Sequence, residues 1–402
     1  MLVDGTGKEP IEDAAVVIKG NRIIEVGPRD AVKTKESMNV IKAEGMTILP
    51  GLIDAHVHIM NDPNILDPEI KRTEPVAIKV LKGASYLREY LKAGFTTIRE
   101  AGSPHPFVMD LSAALRTALI PGPRMITSGY IAMTGRGKPS ANYKFVTGPV
   151  EARRAAREYI SAGVEWIKVG ASGGIMAFGG PLSVQLTVEE MKAAVDEAHN
   201  AGLKAWSHAC GSQSFINSIE VGVDTVEHGY YLNNEAISSL VASGIPWGAN
   251  LAVTYQPVVY QPGKYGFKEV PSAFKKMVKE AEDAEKAHKE SFRKALKAGA
   301  KIIVGTDAGS MCDQHGCGGL ELELMVKYGM STMDALVACT RKNAEALGIA
   351  DELGTVEAGK LADITVVQGN PLKDIKLIKD KKNIRVVIKG GETVAKNGEL
   401  TK

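Results

Sequence analysis

The sequence predicts an α/β protein: a (β/α)8 TIM barrel with a small β-sandwich domain formed from both termini. From Gly51 onward, short apolar runs alternate with longer amphipathic stretches, which is typical of βα units around a parallel sheet. Strand-like sequence is also found at both ends of the chain. At 402 residues, the chain exceeds the size that one hydrophobic core usually reaches, which favours a large domain plus a smaller one.

Eight apolar runs are predicted to form the barrel strands. They read GLIDAHVHI, FTTIREAG, RMITSG, EWIKVGAS, KAWSHACG, DTVEHGYY, WGANLAV and KIIVGTDAG. Helical patterns separate them, among them a Lys/Glu-rich helix from about 270 to 298. Eight βα units that close on themselves form a (β/α)8 barrel. A doubly wound open sheet is the structural rival, but no G-x-G-x-x-G motif follows the first run.

The terminal segments are predicted to form one small domain. AAVVIKG, RIIEVG and TILPG lie before the barrel, and GTVEAGKLADITVV and IRVVIKGGETV follow its last helix. We therefore assign residues 1–50 and 350–402 to a β-sandwich domain and residues 51–349 to the barrel. Because ligand sites of this barrel lie at the C-terminal ends of its strands, the functional residues are expected in 51–349.

The composition and the sequence pattern favour a soluble cytoplasmic protein that does not bind nucleic acid. The 49 basic and 47 acidic residues are interleaved and leave a net charge of +2, and no basic stripe with aromatics predicts nucleic-acid binding. No stretch of 18 uncharged apolar residues predicts a membrane span, and MLVDGTGKEP does not resemble a signal peptide. Four cysteines do not make a disulfide framework in a chain of this length, and we expect structural thiols.

Six side chains that can bind metal ions lie at the ends of predicted strands. His56 and His58 are two residues apart in the first run, so both point to the same side of the strand. The other four end the fourth, fifth, sixth and eighth runs: Lys168, His208, His228 and Asp307. Since all these ends meet at the C-terminal face of a barrel, the six are expected to form one site.

Lys168 and Asp307 each allow a second interpretation. A lysine at a barrel mouth is usually a solvated cation, but burial beside other cations lowers the pKa of an amine. A neutral Lys168 could take up carbon dioxide, and the resulting carbamate could bridge two divalent ions. Asp307 could cap a helix, but we prefer a metal ligand that also acts as general base. Two metal ions would activate a water molecule and polarise an amide carbonyl.

The motifs resemble those of the amidohydrolase superfamily over nearly the whole chain. The matching segments are LPGLIDAHVHI, IKVGASGG, SHACG, TVEHG, VGTDAG and GTVEAGKLADITVVQGNPL. The chain is most similar to the branch of Xaa-Pro dipeptidases (prolidases), carboxypeptidases acting on acylated amino acids, and imidazolonepropionase-like proteins. The resemblance implies that His56, His58 and Asp307 bind the more buried metal ion, that His208 and His228 bind the other, and that carboxylated Lys168 bridges them.

The resemblance also implies a substrate class. Deaminases and imidazolonepropionases of this superfamily typically use one metal ion and lack the bridging lysine, so Lys168 favours a binuclear peptidase. We expect a zinc enzyme, with cobalt or manganese as alternatives, that releases a C-terminal amino acid from a dipeptide or an N-acyl amino acid. A cyclic amidase or lactonase with the same site is an alternative, and a catalytically silent scaffold is another. Related proteins commonly assemble, so we expect a homo-oligomer.

Four residues are candidates for substrate contacts. Peptidases of this branch often carry T-G-G-H-G after the third strand, whereas this chain has TGRGK. Arg136 could bind a substrate carboxylate through two hydrogen bonds, and Lys138 could do so or remain solvated. His315 resembles a residue of a substrate-side loop, or is a surface residue. Tyr231 could donate to the developing oxyanion, or pack on the barrel rim.

Overall fold

The structure is a computed structural model in which the barrel predicted from the sequence is closed. It describes residues 1–33, 37–133, 142–175, 179–259, 272–310 and 312–401. The strands are β1 (Ala14–Lys19), β2 (Arg22–Pro28), β3 (Met46–Pro50), β4 (Leu52–Val57), β5 (Phe95–Glu100), β6 (Arg124–Ile126), β7 (Ser128–Met133), β8 (Lys144–Val146), β9 (Trp166–Gly170), β10 (Lys204–Gly211), β11 (Thr225–Tyr231), β12 (Trp247–Gly248), β13 (Ile302–Ile303), β14 (Ile364–Gln368), β15 (Ile384–Lys389), β16 (Glu392–Lys396) and β17 (Glu399–Leu400).

The helices mostly alternate with the barrel strands, as the sequence predicts. They are α1 (Pro68–Thr73), α2 (Val76–Lys92), α3 (Phe107–Arg116), α4 (Pro149–Ser161), α5 (Val188–Asn200), α6 (Ser212–Glu220), α7 (Asn234–Ser243), α8 (Leu251–Val259), α9 (Ser272–Lys297), α10 (Gly318–Lys327), α11 (Thr332–Val337) and α12 (Asn343–Leu347). A five-residue π-helical turn, Ala338–Lys342, joins α11 to α12. None of the described helices is long and apolar enough to cross a membrane.

The barrel consists of two parallel sheets that meet at both edges. One has the order β4-β5-β6, and the other runs β13-β12-β11-β10-β9-β7-β8. The third predicted strand is divided at Thr127 into β6, which pairs with β5, and β7, which pairs with β9. At the other edge, the amide of Asp307 donates to the His56 carbonyl at 2.8 Å, and Ala55 donates to Val304 at 2.9 Å. These bonds close the eighth strand onto the first, which confirms the predicted barrel.

The seventh predicted strand is shorter than expected. WGANLAV was predicted to be extended as far as Val253, but β12 contains only two residues and α8 begins at Leu251. The side-chain carboxyl group of Glu321, from α10, accepts the amide hydrogens of Leu251 and Ala252 at 2.8 Å each. Because this group satisfies two amides that a helix start leaves unpaired, it stabilises a helix where the apolar run predicts a strand.

Strands from the two chain ends form the second domain. β3 pairs with β14 in antiparallel register, and the resulting five-stranded sheet has the order β17-β16-β15-β14-β3. The β1-β2 hairpin contributes Ile23 to a buried cluster that also contains Leu2, Ile364 and Val386. Apolar side chains from both termini therefore share one small core. The boundaries at residues 50 and 350 stay a prediction.

Candidate metal centre

His56, His58 and Asp307 converge at the C-terminal end of the barrel. β4 is buried along its length and brings both histidines to this end, while Asp307 follows β13. The Asp307 Oδ1 atom lies 3.3 Å from His56 Nε2 and 3.2 Å from His58 Nε2. The side-chain spacing of two, read from the sequence, thus places the two rings on one carboxylate.

Two residues of the site have backbone conformations that are rare for residues other than glycine. The φ angle is +80° at His228 and +61° at Asp307. Such strained positions are found preferentially at functional sites, where the surrounding structure holds them. At His228, the amide donates to the Asn250 side chain at 3.3 Å and the carbonyl accepts from Trp247 Nε1 at 3.1 Å. These bonds hold the turn that directs the His228 ring into the site.

The donor atoms fit a divalent metal ion. His56, His228 and Asp307 each offer one ligand atom, and these atoms lie within 4.8 Å of one another. His56 Nε2, His228 Nε2 and Asp307 Oδ1 are buried, and apart from the contacts of Asp307 with His56 and His58 none of the three forms a hydrogen bond with a described residue. Since buried polar atoms are nearly always paired, three such atoms facing one point indicate a site that an ion would complete. Imidazole and carboxylate ligands suit zinc and other first-row divalent ions.

The surroundings keep the ligands in their metal-binding protonation states. Burial, together with the positive charge of Lys168, lowers the pKa of His58 to about 4. Burial and the neighbouring His208 hold the pKa of His228 well below its usual value. Burial alone would raise the pKa of Asp307, but the rings of His56 and His58 hold it well below its usual value. At neutral pH these groups are therefore neutral imidazoles and a carboxylate, the forms that bind metal.

A buried ion pair beneath the site orients His56. Glu227 Oε2 lies 3.4 Å from His56 Nδ1, and Glu227 Oε1 accepts a hydrogen bond from Arg99 at 2.6 Å. The Arg99 guanidinium lies between the rings of Trp166 and Trp206, 4.7 and 4.4 Å from their centroids. A carboxylate on Nδ1 fixes the imidazole tautomer that leaves Nε2 free to bind a metal ion. Glu227 therefore acts through His56 as a positioning residue.

Glu227 and Asp54 were not predicted from the sequence. Asp54 is two residues before His56 and shares its face, so the same spacing of two could have identified it. Its Oδ1 accepts the amide hydrogens of His56 and Thr306, and its Oδ2 accepts from the Thr306 hydroxyl. Burial raises the pKa of Asp54 to about 7, although these hydrogen bonds oppose the shift. Asp54 thereby joins the backbones of the first and eighth strands beneath the ligands.

Lys168 and His208 lie on the opposite side of the site from Asp307's strand. Lys168 is 1% exposed, and its Nζ lies 4.3 Å from the ring centroid of Tyr130 and 4.4 Å from that of Trp206. The His208 ring is 4.2 Å from that of His228, and its Nε2 lies 3.2 Å from the Gly173 carbonyl. To bind a metal ion through Nε2, His208 must give up this carbonyl contact.

The predicted substrate contacts have different surroundings. His315 has both ring nitrogens in contact with neighbours, Tyr90 at 3.0 Å and the Asn61 carbonyl at 2.9 Å, and burial lowers its pKa to about 4. Tyr231 is half-buried beside the small apolar cluster of Cys210 and Tyr230. The hydroxyl of Tyr230, not Tyr231, lies next to a candidate ligand, 3.2 Å from His228 Nδ1. Arg136 and Lys138 lie outside the described residues.

Comparisons with known proteins agree with this architecture. The amidohydrolase family model matches residues 47–394. Ochratoxinase from Aspergillus niger is 27% identical, over 98% of this chain and 85% of its own. Imidazolonepropionase from Deinococcus radiodurans is 26% identical, over 91% and 88%.

Comparison with a solved structure shows that the three-dimensional fold is also similar. The crystal structure of a Xaa-Pro dipeptidase with bound methionine in the active site is similar with a TM-score of 0.84 and 30% identity, over 98% of this chain and 97% of that one. The match extends over both the barrel and the terminal strands, so it concerns the whole fold. The chain belongs to the amidohydrolase family and is a hydrolase acting on C–N bonds.

Proposed function

We propose that the protein is a binuclear metal-dependent amidase that releases an amino acid with a free α-carboxylate, as from an Xaa-Pro dipeptide or an N-acyl amino acid. The observation that carries the proposal is the convergence of buried donor atoms of His56, His228 and Asp307. Zinc fits this donor set, with cobalt or manganese as alternatives. His56, His58 and Asp307 would hold one ion and His208 and His228 the other, with Lys168 as a carbamate ligand of both.

Two bound ions would lower the pKa of a water molecule and polarise the scissile carbonyl. The protein's own groups then hold and move the protons. Asp307, an anion at neutral pH, accepts the proton of the attacking water and returns it to the leaving nitrogen. Glu227 keeps the Nδ1 proton of His56 in place, so that Nε2 faces Asp307. The buried rings of Tyr130 and Trp206 keep bulk water from Lys168.

Two features support an amino acid as the leaving group. The similar Xaa-Pro dipeptidase was solved with methionine, a free amino acid, in its active site. Lys71 and the candidate ions would also place positive charge around the mouth of the site, which favours an anionic substrate. A small dipeptide or acylated amino acid meets both requirements.

A cyclic amidase or lactonase is the second candidate function. The specific observation in its favour is the 26% identity to an imidazolonepropionase over 91% of this chain. The barrel and the ligands from β4 and β13 would serve either reaction. The two candidates differ in the number of metal ions required and in the substrate class.

A substrate panel separates the candidates. Protein loaded with zinc, cobalt or manganese is assayed with Xaa-Pro dipeptides, N-acyl amino acids, hydantoins and lactones. We expect the fastest release of free amino acid from the first two classes, and faster turnover of the cyclic compounds would overturn the proposal. His228→Ala should lose this activity, whereas His199→Ala, which removes an exposed histidine paired with Asp224 on the barrel surface, should retain it.

A further inference from the structure

We infer that Lys71 binds the α-carboxylate of the substrate; the inference rests on the proposed amidase function. Lys71 lies on α1, in the connection that follows β4. The residues predicted for this role, Arg136 and Lys138, follow the third strand instead. Because Lys71 follows the first barrel strand, it would bind the substrate carboxylate on the side of the site where His58 lies.

The Lys71 amine forms a hydrogen bond with the loop that contains Asp307. Lys71 Nζ donates a hydrogen bond to the Gly309 carbonyl at 2.7 Å, and Gly309 is two residues beyond Asp307. Gly309 itself packs closely on the residue that follows β4, since a Cβ there would lie 2.3 Å from the His58 carbonyl oxygen. The amine therefore lies where the ends of the first and eighth strands touch, next to the residues that converge on the ligand cluster.

Lys71 differs from Lys82 and Arg72 in having no carboxylate of a described residue at salt-bridge distance. Lys82 contacts Asp62 and Glu74 at 2.7 and 2.5 Å, and Arg72 contacts Glu69 at 2.5 Å. No carboxylate of the described residues lies within salt-bridge distance of Lys71, and the carbonyl of Gly309 takes one of its three N–H donors. Two donors remain for an anion.

The environment makes this amine a strong partner for a carboxylate. Burial lowers the pKa of Lys71 to about 8, although Asp307 and Asp62 act in the opposite direction. A cation that has lost much of its hydration interacts more strongly with a bound anion than a fully solvated one does. In an N-acyl amino acid the carboxylate is separated from the scissile nitrogen by one carbon atom. Its binding group must therefore lie beside the ligand cluster, as Lys71 does.

If Lys71 only links α1 to Gly309 through its hydrogen bond, its replacement should affect charged and uncharged substrates equally. Lys71→Gln keeps an N–H donor on a shorter side chain but removes the charge, and Lys71→Arg restores the charge. Arg72→Met is the matched control, because it removes a positive charge from the next position of the same helix. Thermal unfolding of each variant establishes that it folds.

The test compares an N-acyl amino acid with its carboxamide, which lacks the negative charge. For the carboxylate substrate we expect Lys71→Gln to raise KM by about 10- to 100-fold, the range for a hydrogen bond to a charged group. The KM for the carboxamide should stay within about twofold, Lys71→Arg should recover part of the loss, and Arg72→Met should resemble the wild type. Equal effects of Lys71→Gln on both substrates, or no effect, would overturn the inference.

Binding of a free amino acid separates this inference from the proposed function. The probe is L-methionine, titrated calorimetrically into the zinc-loaded wild type and the same variants. If the wild type hydrolyses no member of the panel, the proposed function fails, but weaker binding to Lys71→Gln with binding retained by Arg72→Met still supports the carboxylate site. Equal affinity of Lys71→Gln and the wild type, or no binding to the wild type, would refute the site.

Discussion

The buried pair of Arg99 and Glu227 provides a quantitative test of how the barrel interior controls the metal site. Both side chains are fully buried and lie 2.6 Å apart. Glu227→Gln leaves an uncompensated cation in the core, which typically costs about 3–5 kcal/mol. At about 2.1 cal/mol/K of unfolding entropy per residue, the 402 residues give a fall in the thermal midpoint of about 4–6 °C.

The same substitution should weaken metal binding. The two carboxylate oxygens of Glu227 serve two donors, Arg99 on Oε1 and His56 on Oε2. A glutamine has one acceptor oxygen, and the charged guanidinium is the stronger competitor for it. His56 then loses the group that orients its ring, so we expect metal affinity to fall about 10- to 100-fold.

The double variant Arg99→Met/Glu227→Gln distinguishes this explanation from a general loss of structure. Without Arg99, the glutamine oxygen can accept from His56, so metal affinity should recover toward the wild-type value. Its thermal midpoint should also exceed that of Glu227→Gln, because no buried charge remains unpaired. Midpoints are measured by calorimetry on metal-free protein and affinities by zinc titration. A double variant that binds zinc no better than Glu227→Gln would refute the reasoning. The control is Glu323→Gln, which breaks a surface pair with Lys379 and should change the thermal midpoint and the zinc affinity little.

Three further predictions concern the bridge, the metal ions and a buried carboxyl. Lys168→Ala should lose most hydrolytic activity and regain part of it with short carboxylic acids that replace the carbamate; failure of every such acid, with metal content unchanged, would contradict the bridge. Removal of metal by a chelator should lower the thermal midpoint, and zinc should restore it, because binding to the folded state alone stabilises by about 2.7 kcal/mol at 100 times Kd; an unchanged midpoint would argue against a preformed site. Burial raises the pKa of Glu321 to about 8, so the protonated group stabilises the fold at low pH and this contribution is lost as pH rises through 8. Glu321→Gln does not titrate, and its midpoint should therefore rise relative to the wild type between pH 6 and pH 9, whereas a constant difference would refute the shift.

The fold could be predicted because each barrel strand is a short apolar run bounded by glycines or charged residues. The end of each run then located the six candidate ligands, since parallel strands of a barrel end at one face. The short length of β12 could not be predicted in this way. The helix that follows it is stabilised by the side chain of Glu321, which lies in a distant part of the chain. An interaction between residues 70 positions apart leaves no local signal in the sequence.

The support beneath the ligands was harder to predict. Glu227 and His228 are adjacent on a strand, where neighbouring side chains normally face opposite sides. The positive φ angle of His228 directs its ring so that the side chains of both Glu227 and His228 reach the site. No sequence pattern predicts this backbone conformation. Arg99 belongs to an apolar run that predicts a strand, yet its charge lies inside the barrel with Glu227. A charged pair at the centre of the barrel becomes visible only when strands two and six are placed opposite each other.

The number of metal ions per chain tests the central claim most directly. Protein expressed without chelators is analysed by mass spectrometry for bound metal, alongside Lys168→Ala and His199→Ala, and each sample is assayed for release of amino acid. The account predicts about two divalent ions per chain in the wild type and His199→Ala, and loss of one ion with most of the activity in Lys168→Ala. A wild-type protein that holds a single ion and is fully active would contradict it.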